Sequence, residues 1–533
     1  MGVAERVVWY DTTLRDGTQQ AGISLSLEDK LRIARRLQEF GIPYIEGGWP
    51  GSNPKDVLFF EEVPKVLDRS VFTAFGSTRR AGTRAERDEQ LGTLLAANVP
   101  TITLVGKASR FQAERVLRTD PEENLRMISD SVRYLTSQGR TVIFDAEHFF
   151  DGMEEDAGYS LACLEAAQDA GASWLTLCDT NGGSLPGQVG DATDWVRMRI
   201  PKADIGIHTH SDGGLAVANA LMAVSAGARL VQGTVNGYGE RCGNADFCQL
   251  LPALQIKMGF EVLPEERLVE LVHLARFVAE VVNLPLPDSS PYVGVNAFTH
   301  KGGLHASGMA RDTRAYEHIA PERVGARRRI LASELAGQAS LAAALPELDL
   351  TAEERTELLA RVKERERTGY RYEDAEASLL ALARALRGGE PPFRLTHYRT
   401  TVDGPAHRAE ATVEVSVDGR EAHAAATGNG PVAALDAAMR RALTDFFPDL
   451  CRIHLVDYRV RVIDSRAGAS ASVRVWVEST DGRERFRTVG VSTDVVAATA
   501  EALVDAWWAG LMPAQTGPAR EHEENARAGT GED

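Results

Sequence analysis

The sequence predicts an eight-stranded (β/α)8 barrel, a helical region after it, and a small terminal α+β module with an internal repeat. Two observations carry that prediction. From residue 6 to about 258, eight short apolar segments alternate with segments of helical spacing. Beyond about residue 390, one strand–turn–strand–helix pattern occurs twice. Eight units of even length favour a closed barrel over a doubly wound open sheet.

In order along the chain, strands are expected at 7–10, 44–47, 71–76, 101–105, 141–145, 174–178, 204–210 and 230–235. Helical spacing marks 27–40, 121–138, 161–170 and 215–226. Ser26 followed by Asp29 starts the first of these, and Asp120-Pro121 starts the second. Gly41, Gly139, Gly171 and Gly227 stop four helices. The stretch 259–385 is rich in Leu, Ala, Glu and Arg and reads as mostly helical, interrupted by one unusual loop at 296–309. Gly388-Gly389-Glu390-Pro391-Pro392 reads as a linker. The first copy of the repeat has strands at 411–417 and 422–427 around Asp418-Gly419, then a helix at 431–446. The second has strands at 472–478 and 486–491 around Asp481-Gly482, then a helix at 494–508. The expected domains are therefore 1–280 (barrel), 281–388 (helical), 389–512 (terminal module) and 513–533 (a polar tail too poor in apolar residues to order).

Bulk composition narrows the function classes. Across 533 residues, 44% hydrophobic and 25% charged content are those of a globular protein, and the length allows two to four domains. A net charge of −17 argues against nonspecific nucleic-acid binding and against an anionic membrane surface. There is no apolar run near the roughly 20 residues that span a bilayer, and no basic-then-apolar leader. Five scattered cysteines without a CxxC pair suit reduced thiols, so a cytoplasmic location is expected and a thiolate metal site is not.

The chemistry begins where the first strand ends. In Asp11-Thr12-Thr13-Leu14-Arg15-Asp16-Gly17-Thr18-Gln19 a cation and an anion sit side by side on a tight exit loop. Barrels gather their catalytic groups at such strand ends. His208-Thr209-His210 closes the seventh strand, and strand alternation turns both imidazoles the same way. Two such histidines make half of a divalent-metal site, and Asp16 offers a third, anionic ligand across the barrel mouth. A fourth must come from nearby, where Gly237-Tyr238-Gly239-Glu240-Arg241-Cys242-Gly243-Asn244 offers several oxygens. In that loop Gly237, Gly239 and Gly243 would let the backbone approach a ligand closely. The run Arg327-Arg328-Arg329 reads as a solvated helix start.

These residues carry a resemblance. Leu14-Arg15-Asp16-Gly17-Thr18-Gln19, with Lys30 downstream, resembles the first signature of the 2-isopropylmalate, homocitrate and citramalate synthases. The segment His208-Thr209-His210-Ser211-Asp212-Gly213-Gly214 resembles their second. Asn296-Ala297-Phe298-Thr299-His300-Lys301-Gly302-Gly303-Leu304-His305 is similar to their helical-subdomain loop, and the terminal repeat to their regulatory domain. One departure is Ser211, where the family usually carries Asp or Asn; alternation points it away from the metal face.

The resemblance implies a Claisen-type condensation of acetyl-CoA with a 2-oxoacid, then hydrolysis of the new thioester. It implies a divalent cation (Mn, Zn, Co or Mg) held by Asp16, His208, His210 and Asn244. Arg15 would bind substrate and meet the developing alkoxide, and Thr180 would bind the substrate carboxylate. Glu147 and His305 are the candidate enolising bases, and Tyr316 would help to activate water or steady the enol. The segment from Glu46-Gly47-Gly48-Trp49 through Pro54-Lys55-Asp56 resembles the branch that acts on pyruvate, with Trp49 shrinking the pocket. Formation of 2-isopropylmalate from 2-oxoisovalerate is the runner-up, and 2-oxoglutarate is third. Lyases that cleave 3-hydroxy-3-methylglutaryl-CoA share the Arg-Asp and His-x-His chemistry, but the features after residue 285 favour synthesis. The resemblance further implies a homodimer and an amino-acid effector on the terminal module, isoleucine for the pyruvate branch. Deleting residues after about 390 is expected to spare some activity and remove that inhibition.

Overall fold

A computed structural model describes residues 5–511, apart from 302–304, 306–307, 310, 331–340, 342–344, 346–347, 406–407, 464–467, 469 and 482–484. The expected polar tail at 513–533 and the turn residue Gly482 lie outside the described residues. Two compact units emerge: Met1–Phe298 with Ile319–Arg328, and Thr299–His318 with Arg329–Asp533.

The first unit is a closed barrel of eight parallel strands in sequence order. Its strands are β1 (Val8–Asp11), β2 (Tyr44–Glu46), β3 (Val71–Ser77), β4 (Thr101–Lys107), β5 (Thr141–Glu147), β6 (Trp174–Asp179), β7 (Ile205–Thr209) and β8 (Leu230–Gly233). Closure comes from β1, which pairs with β8 in the register Val8↔Leu230 to Asp11↔Gly233. The helices are α1 (Leu27–Phe40), α2 (Pro54–Glu62), α3 (Glu89–Ala96), α4 (Pro121–Ser137), α5 (Phe149–Asp169), α6 (Pro186–Arg199), α7 (Ala216–Ser225), α8 (Phe247–Pro252), α9 (Glu265–Leu268) and α10 (Leu271–Val281). The signals at the ends of α1 act as expected. Ser26 and Asp29 form a reciprocal capping box, and Gly41 stops the helix at φ 103°, a conformation glycine adopts without penalty. Apolar faces of strands and helices meet in one continuous core running from Val7 to Val324.

Most strand boundaries differ from the sequence reading by one or two residues, and one helix starts much earlier. The middle strands run one or two residues further, through polar ends such as Lys107 and Glu147, because their backbones stay paired (Lys107↔Glu147). Helix α5 begins at Phe149 instead of near 161. Its first turns carry two glycines and several acids without an apolar stripe, and the helix is kinked at Asp156 (φ −153°, ψ 85°). No helix among the described residues is long and apolar enough to cross a membrane.

The second unit opens with a short parallel pair, β9 (Thr299–His300) with β10 (Arg329–Ile330). Arg329 lies in a strand, ion-paired to Glu376 at 3.0 Å, and residues 331–340, on which a helix start after the arginine run depends, lie outside the described residues. Helices α11 (Ala352–Arg367) and α12 (Glu376–Leu386) follow. Next come two three-stranded antiparallel sheets, each closed by a helix. The first holds β11 (Arg394–Asp403), β12 (Arg408–Val417) and β13 (Arg420–Gly428), with α13 (Pro431–Leu443). The second holds β14 (His454–Val462), β15 (Val473–Thr480) and β16 (Arg485–Ser492), with α14 (Val495–Leu511). Each copy of the repeat is therefore β-β-β-α, one strand richer than the sequence reading. The added strands β11 and β14 are exposed edges without a buried alternation, so the period-2 signal is missing from them.

The helical region and the second sheet share a core. Leu358, Tyr372 and Leu379 pack with Val489, and Ser378 donates to Asp505 Oδ2 at 2.6 Å while accepting from Val489 N at 3.0 Å. Deletion after about residue 390 would strip that core, so it is expected to destabilise the helical region as well as remove the module.

Burial raises the Asp505 carboxyl from 3.8 to about 7, with Ser378 opposing and the charge of Glu501 adding to the shift. The folded state therefore holds a proton that the unfolded chain has released. The resulting cost is absent below about pH 4, grows to pH 7 and is full above it. Asp505→Asn, which keeps an acceptor for Ser378, is expected to stabilise the protein by about 2 kcal/mol more at pH 8 than at pH 4. Thermal melts of both forms across that range check the slope.

Candidate functional site

β1 ends in a turn that aims Arg15 and Asp16 over the barrel mouth. Asp11 accepts from the backbone N and Oγ1 of Thr13, both at 3.0 Å, while Arg15 N and Gly17 N both donate to Thr12 O at 3.1 Å. The guanidinium of Arg15 is then held from three sides. Its Nε donates to Glu46 Oε2 at 2.7 Å, its Nη1 lies 3.1 Å from Asp16 Oδ2, and its plane sits 3.9 Å over the Phe75 ring. Among the described residues, Nη2 has no partner.

At the end of β7 the second motif meets the loop after β8. His210 forms an isolated antiparallel bridge with Asn244, Ser211 N donates to Gly243 O at 2.8 Å, and Ala245 N donates to Thr209 O at 3.0 Å. This stitching depends on the loop glycines. A Cβ on Gly239 would stand 1.9 Å from Asn244 Oδ1, and one on Gly243 would stand 2.1 Å from Gly237 O. The space over Gly239 and Gly243 is filled by the loop itself, and Gly237, Gly239 and Gly243 do not line the cavity. Their compactness brings Asn244 to the cluster.

Asp16, His208 and His210 each offer a ligand atom, and all three atoms lie within 4.8 Å of one another. His208 Nε2 is 3.2 Å from His210 Nε2 and 3.3 Å from Asp16 Oδ2, and all three residues are buried. Two ring nitrogens facing each other at that distance suit a cation between them. Asn244 Nδ2 points at Asp16 Oδ2 (2.9 Å), whereas its buried Oδ1 has no hydrogen-bond partner. Turning that amide over gives the oxygen to the cluster, so a carboxylate, two imidazoles and an amide oxygen form a donor set that fits a divalent cation.

Electrostatics agree. Burial alone would raise the Asp16 carboxyl, but Arg15 and His208 outweigh it and hold the group ionised well below the usual carboxylate range. His208 is lowered by burial and raised further by its hydrogen bond and charge interaction with Asp16. Burial, then the neighbouring His208, pushes His210 down to about 3, which keeps it a neutral donor.

These groups open on a cavity of about 600 Å³. Arg15, Asp16, Glu147, Thr180, His208 and His210 all line it. Glu147 ends β5 and is ion-paired with Lys107 at the matching position of β4. Thr180 Oγ1 accepts from His148 N at 2.8 Å, so its own hydroxyl hydrogen is left to donate into the cavity. His148 itself has φ 59°, an uncommon conformation for a residue with a Cβ. Trp49 and Phe75 form an edge-on aromatic wall with centroids 6.2 Å apart. His305 and Tyr316 belong to the second unit, where their rings stack at 4.1 Å.

Sequence reasoning missed the role of Glu46. This fully buried carboxylate ends β2 and accepts from Arg15 Nε, from Thr12 Oγ1 at 2.5 Å and from Tyr10 OH at 2.8 Å. Its only sequence signal is an acid closing an apolar strand. Glu46→Gln keeps the shape but removes the counter-charge that fixes Arg15. It is expected to lower kcat about 100-fold with metal content unchanged, measurable by steady-state kinetics beside metal analysis.

Comparison with known proteins matches three successive regions of the chain. A family described as HMGL-like matches residues 6–278. The homocitrate synthase post-HMGL domain-like family matches residues 292–369, and the LeuA allosteric (dimerisation) domain matches residues 372–509. The (R)-citramalate synthase of Aquifex aeolicus is 49% identical over 94% of this chain and 97% of its own length. That of Synechocystis is 47% identical over 95% and 96%. A probable 2-isopropylmalate synthase of Methanopyrus kandleri is 34% identical over 94% and 97%. Among solved structures, the HMG-CoA lyase of Brucella melitensis aligns with 52% of this chain and 100% of its own at 21% identity, with a TM-score of 0.44.

Proposed function

Because this chain belongs to the HMGL-like family and, within it, to the (R)-citramalate synthases, we propose that it condenses acetyl-CoA with pyruvate and hydrolyses the thioester to (R)-citramalate and CoA. The observation that carries this reading is the buried Asp16–His208–His210 group lying against Arg15 in one cavity. Asp16, His208, His210 and Asn244 would hold the divalent cation, which when bound supplies Lewis acidity toward the keto and carboxylate oxygens of the 2-oxoacid. Mn, Zn, Co and Mg all suit that donor set.

The chain's own residues do the rest. Thr180 donates its hydroxyl to the substrate carboxylate. Glu147, on the same cavity, takes a proton from the acetyl methyl group, and the resulting enolate carbon attacks the keto carbon. Negative charge then moves to the former keto oxygen, where Arg15 meets it with Nη2, already immobilised by Glu46 and Phe75. His305 is the other candidate for taking the acetyl proton, and Tyr316 is assigned to enol stabilisation or to activation of the water that cleaves the thioester. The Trp49–Phe75 wall favours a methyl-sized substituent.

For the whole protein this reading includes a homodimer in the cytoplasm, placed in isoleucine synthesis. Its terminal module at 389–512 carries an isoleucine effector site, supported by the match to a LeuA allosteric (dimerisation) domain. Product analysis tests the chemistry. Enzyme, Mn(II), acetyl-CoA and ¹³C-pyruvate are expected to give labelled (R)-citramalate and free CoA in equal amounts. Formation of acetoacetate and acetyl-CoA in a parallel incubation supplied with 3-hydroxy-3-methylglutaryl-CoA, with no citramalate from pyruvate, would support a lyase instead.

A further inference from the structure

Beside the cation cluster lies a buried polar chain, reaching the cavity wall at Asp145, that the proposed chemistry does not use. Gln232, in β8, stands between Asp145, in β5, and His208, in β7. Gln232 Nε2 donates to Asp145 Oδ1 at 2.8 Å, with Thr176 Oγ1 a weaker second acceptor at 3.4 Å. At its other end, Gln232 Oε1 lies 2.8 Å from His208 Nδ1. All three side chains are at most 5% exposed, so water does not compete for these bonds.

The orientation of the chain follows from what each group can offer. A carboxylate has no hydrogen to donate, so Asp145 fixes the NH2 end of the Gln232 amide towards itself. The carbonyl oxygen must then face His208. That oxygen accepts only, so Nδ1 of His208 has to carry the hydrogen. The Nε2 face, which looks at Asp16 and His210, is thereby the one presented to a cation. Without Asp145 the amide could turn over, offer its NH2 group to Nδ1 and move the proton to Nε2, which blocks the ligand. No such chain acts on His210, whose buried Nδ1 has no hydrogen-bond partner.

We infer that Asp145 and Gln232 are positioning residues that set the tautomer of His208 and so tune the affinity of the cation site. This inference rests on the reading of Asp16, His208, His210 and Asn244 as cation ligands.

The test uses the full chain, freed of metal, with Mn(II) as the probe at pH 8. Affinity is read by chelator competition, and the ligand field by the visible spectrum of the Co(II) form. Gln232→Leu and Asp145→Leu are expected to weaken Mn(II) binding about 10- to 100-fold and to alter the Co(II) spectrum. Asp145→Asn can accept from Gln232 or, turned over, donate to it, so it no longer fixes the amide and is expected to weaken Mn(II) binding by an amount between the parent and Asp145→Leu. A role in packing alone would change the melting temperature of all three variants and leave the spectrum unmoved. The inference is overturned if Gln232→Leu folds and binds Mn(II) like the parent, or if Asp145→Leu does so. Should Gln232→Leu not fold, the two Asp145 variants decide alone. Undiminished Mn(II) binding by His208→Ala would overturn the ligand reading itself, a separate failure.

Discussion

Asp16→Ala is expected to lower turnover at least about 10⁴-fold, because one side chain serves both the cation and Arg15. Its Oδ2 lies 3.1 Å from Arg15 Nη1, 3.3 Å from His208 Nε2 and 3.9 Å from His210 Nε2. Removing it takes away the anionic ligand and leaves a half-buried guanidinium with half of its neutralisation. The loss should therefore appear twice: as a protein that no longer retains Mn(II) through gel filtration, and as the absence of CoA release at any pyruvate concentration. Retention of more than a few per cent of the parent rate would mean that the cluster is structural.

Arg15→Lys is the second large effect, expected to cut kcat about 10³-fold while Mn(II) binding persists. A lysine keeps the charge but cannot do the same job. Arg15 engages Glu46 through Nε, Asp16 through Nη1 and the Phe75 face through its plane, three constraints that a single ammonium cannot satisfy together. A mobile ammonium must reorganise when the alkoxide forms, whereas the fixed guanidinium already points there. Steady-state kinetics with saturating substrates separates this from a binding defect, and a loss smaller than tenfold would remove Arg15 from that role.

Much of this was legible in the sequence, for reasons that can be named residue by residue. Barrel strands buried on both faces leave apolar runs, and the helices between them carry capping residues such as Ser26 and stop residues such as Gly41. The ligand candidates were visible because polar groups closing apolar strands stand out: Arg15 and Asp16 after β1, His208 and His210 around the end of β7. Tertiary facts were not visible. Edge strands β11 and β14 have no buried face to pattern them, and the glycine-rich start of α5 hides a helix. Glu46, Asp145 and Gln232 look like isolated polar residues inside strands, and each acquires meaning only across the barrel, from partners 31, 87 and 24 positions away. Glycines at 237, 239 and 243 illustrate the converse: the sequence marks them as special, but only the packing of Asn244 against Gly239 says why.

Catalytic efficiency with competing 2-oxoacids tests the central claim most directly. With Mn(II) and saturating acetyl-CoA, CoA release is measured by thiol detection for pyruvate, 2-oxoisovalerate and 2-oxoglutarate in turn. The expected result is a kcat/KM for pyruvate at least about 100-fold above the other two, the discrimination that a tight apolar wall can enforce against added carbon atoms. A higher kcat/KM for 2-oxoisovalerate, or no CoA release from any of the three, would contradict the account.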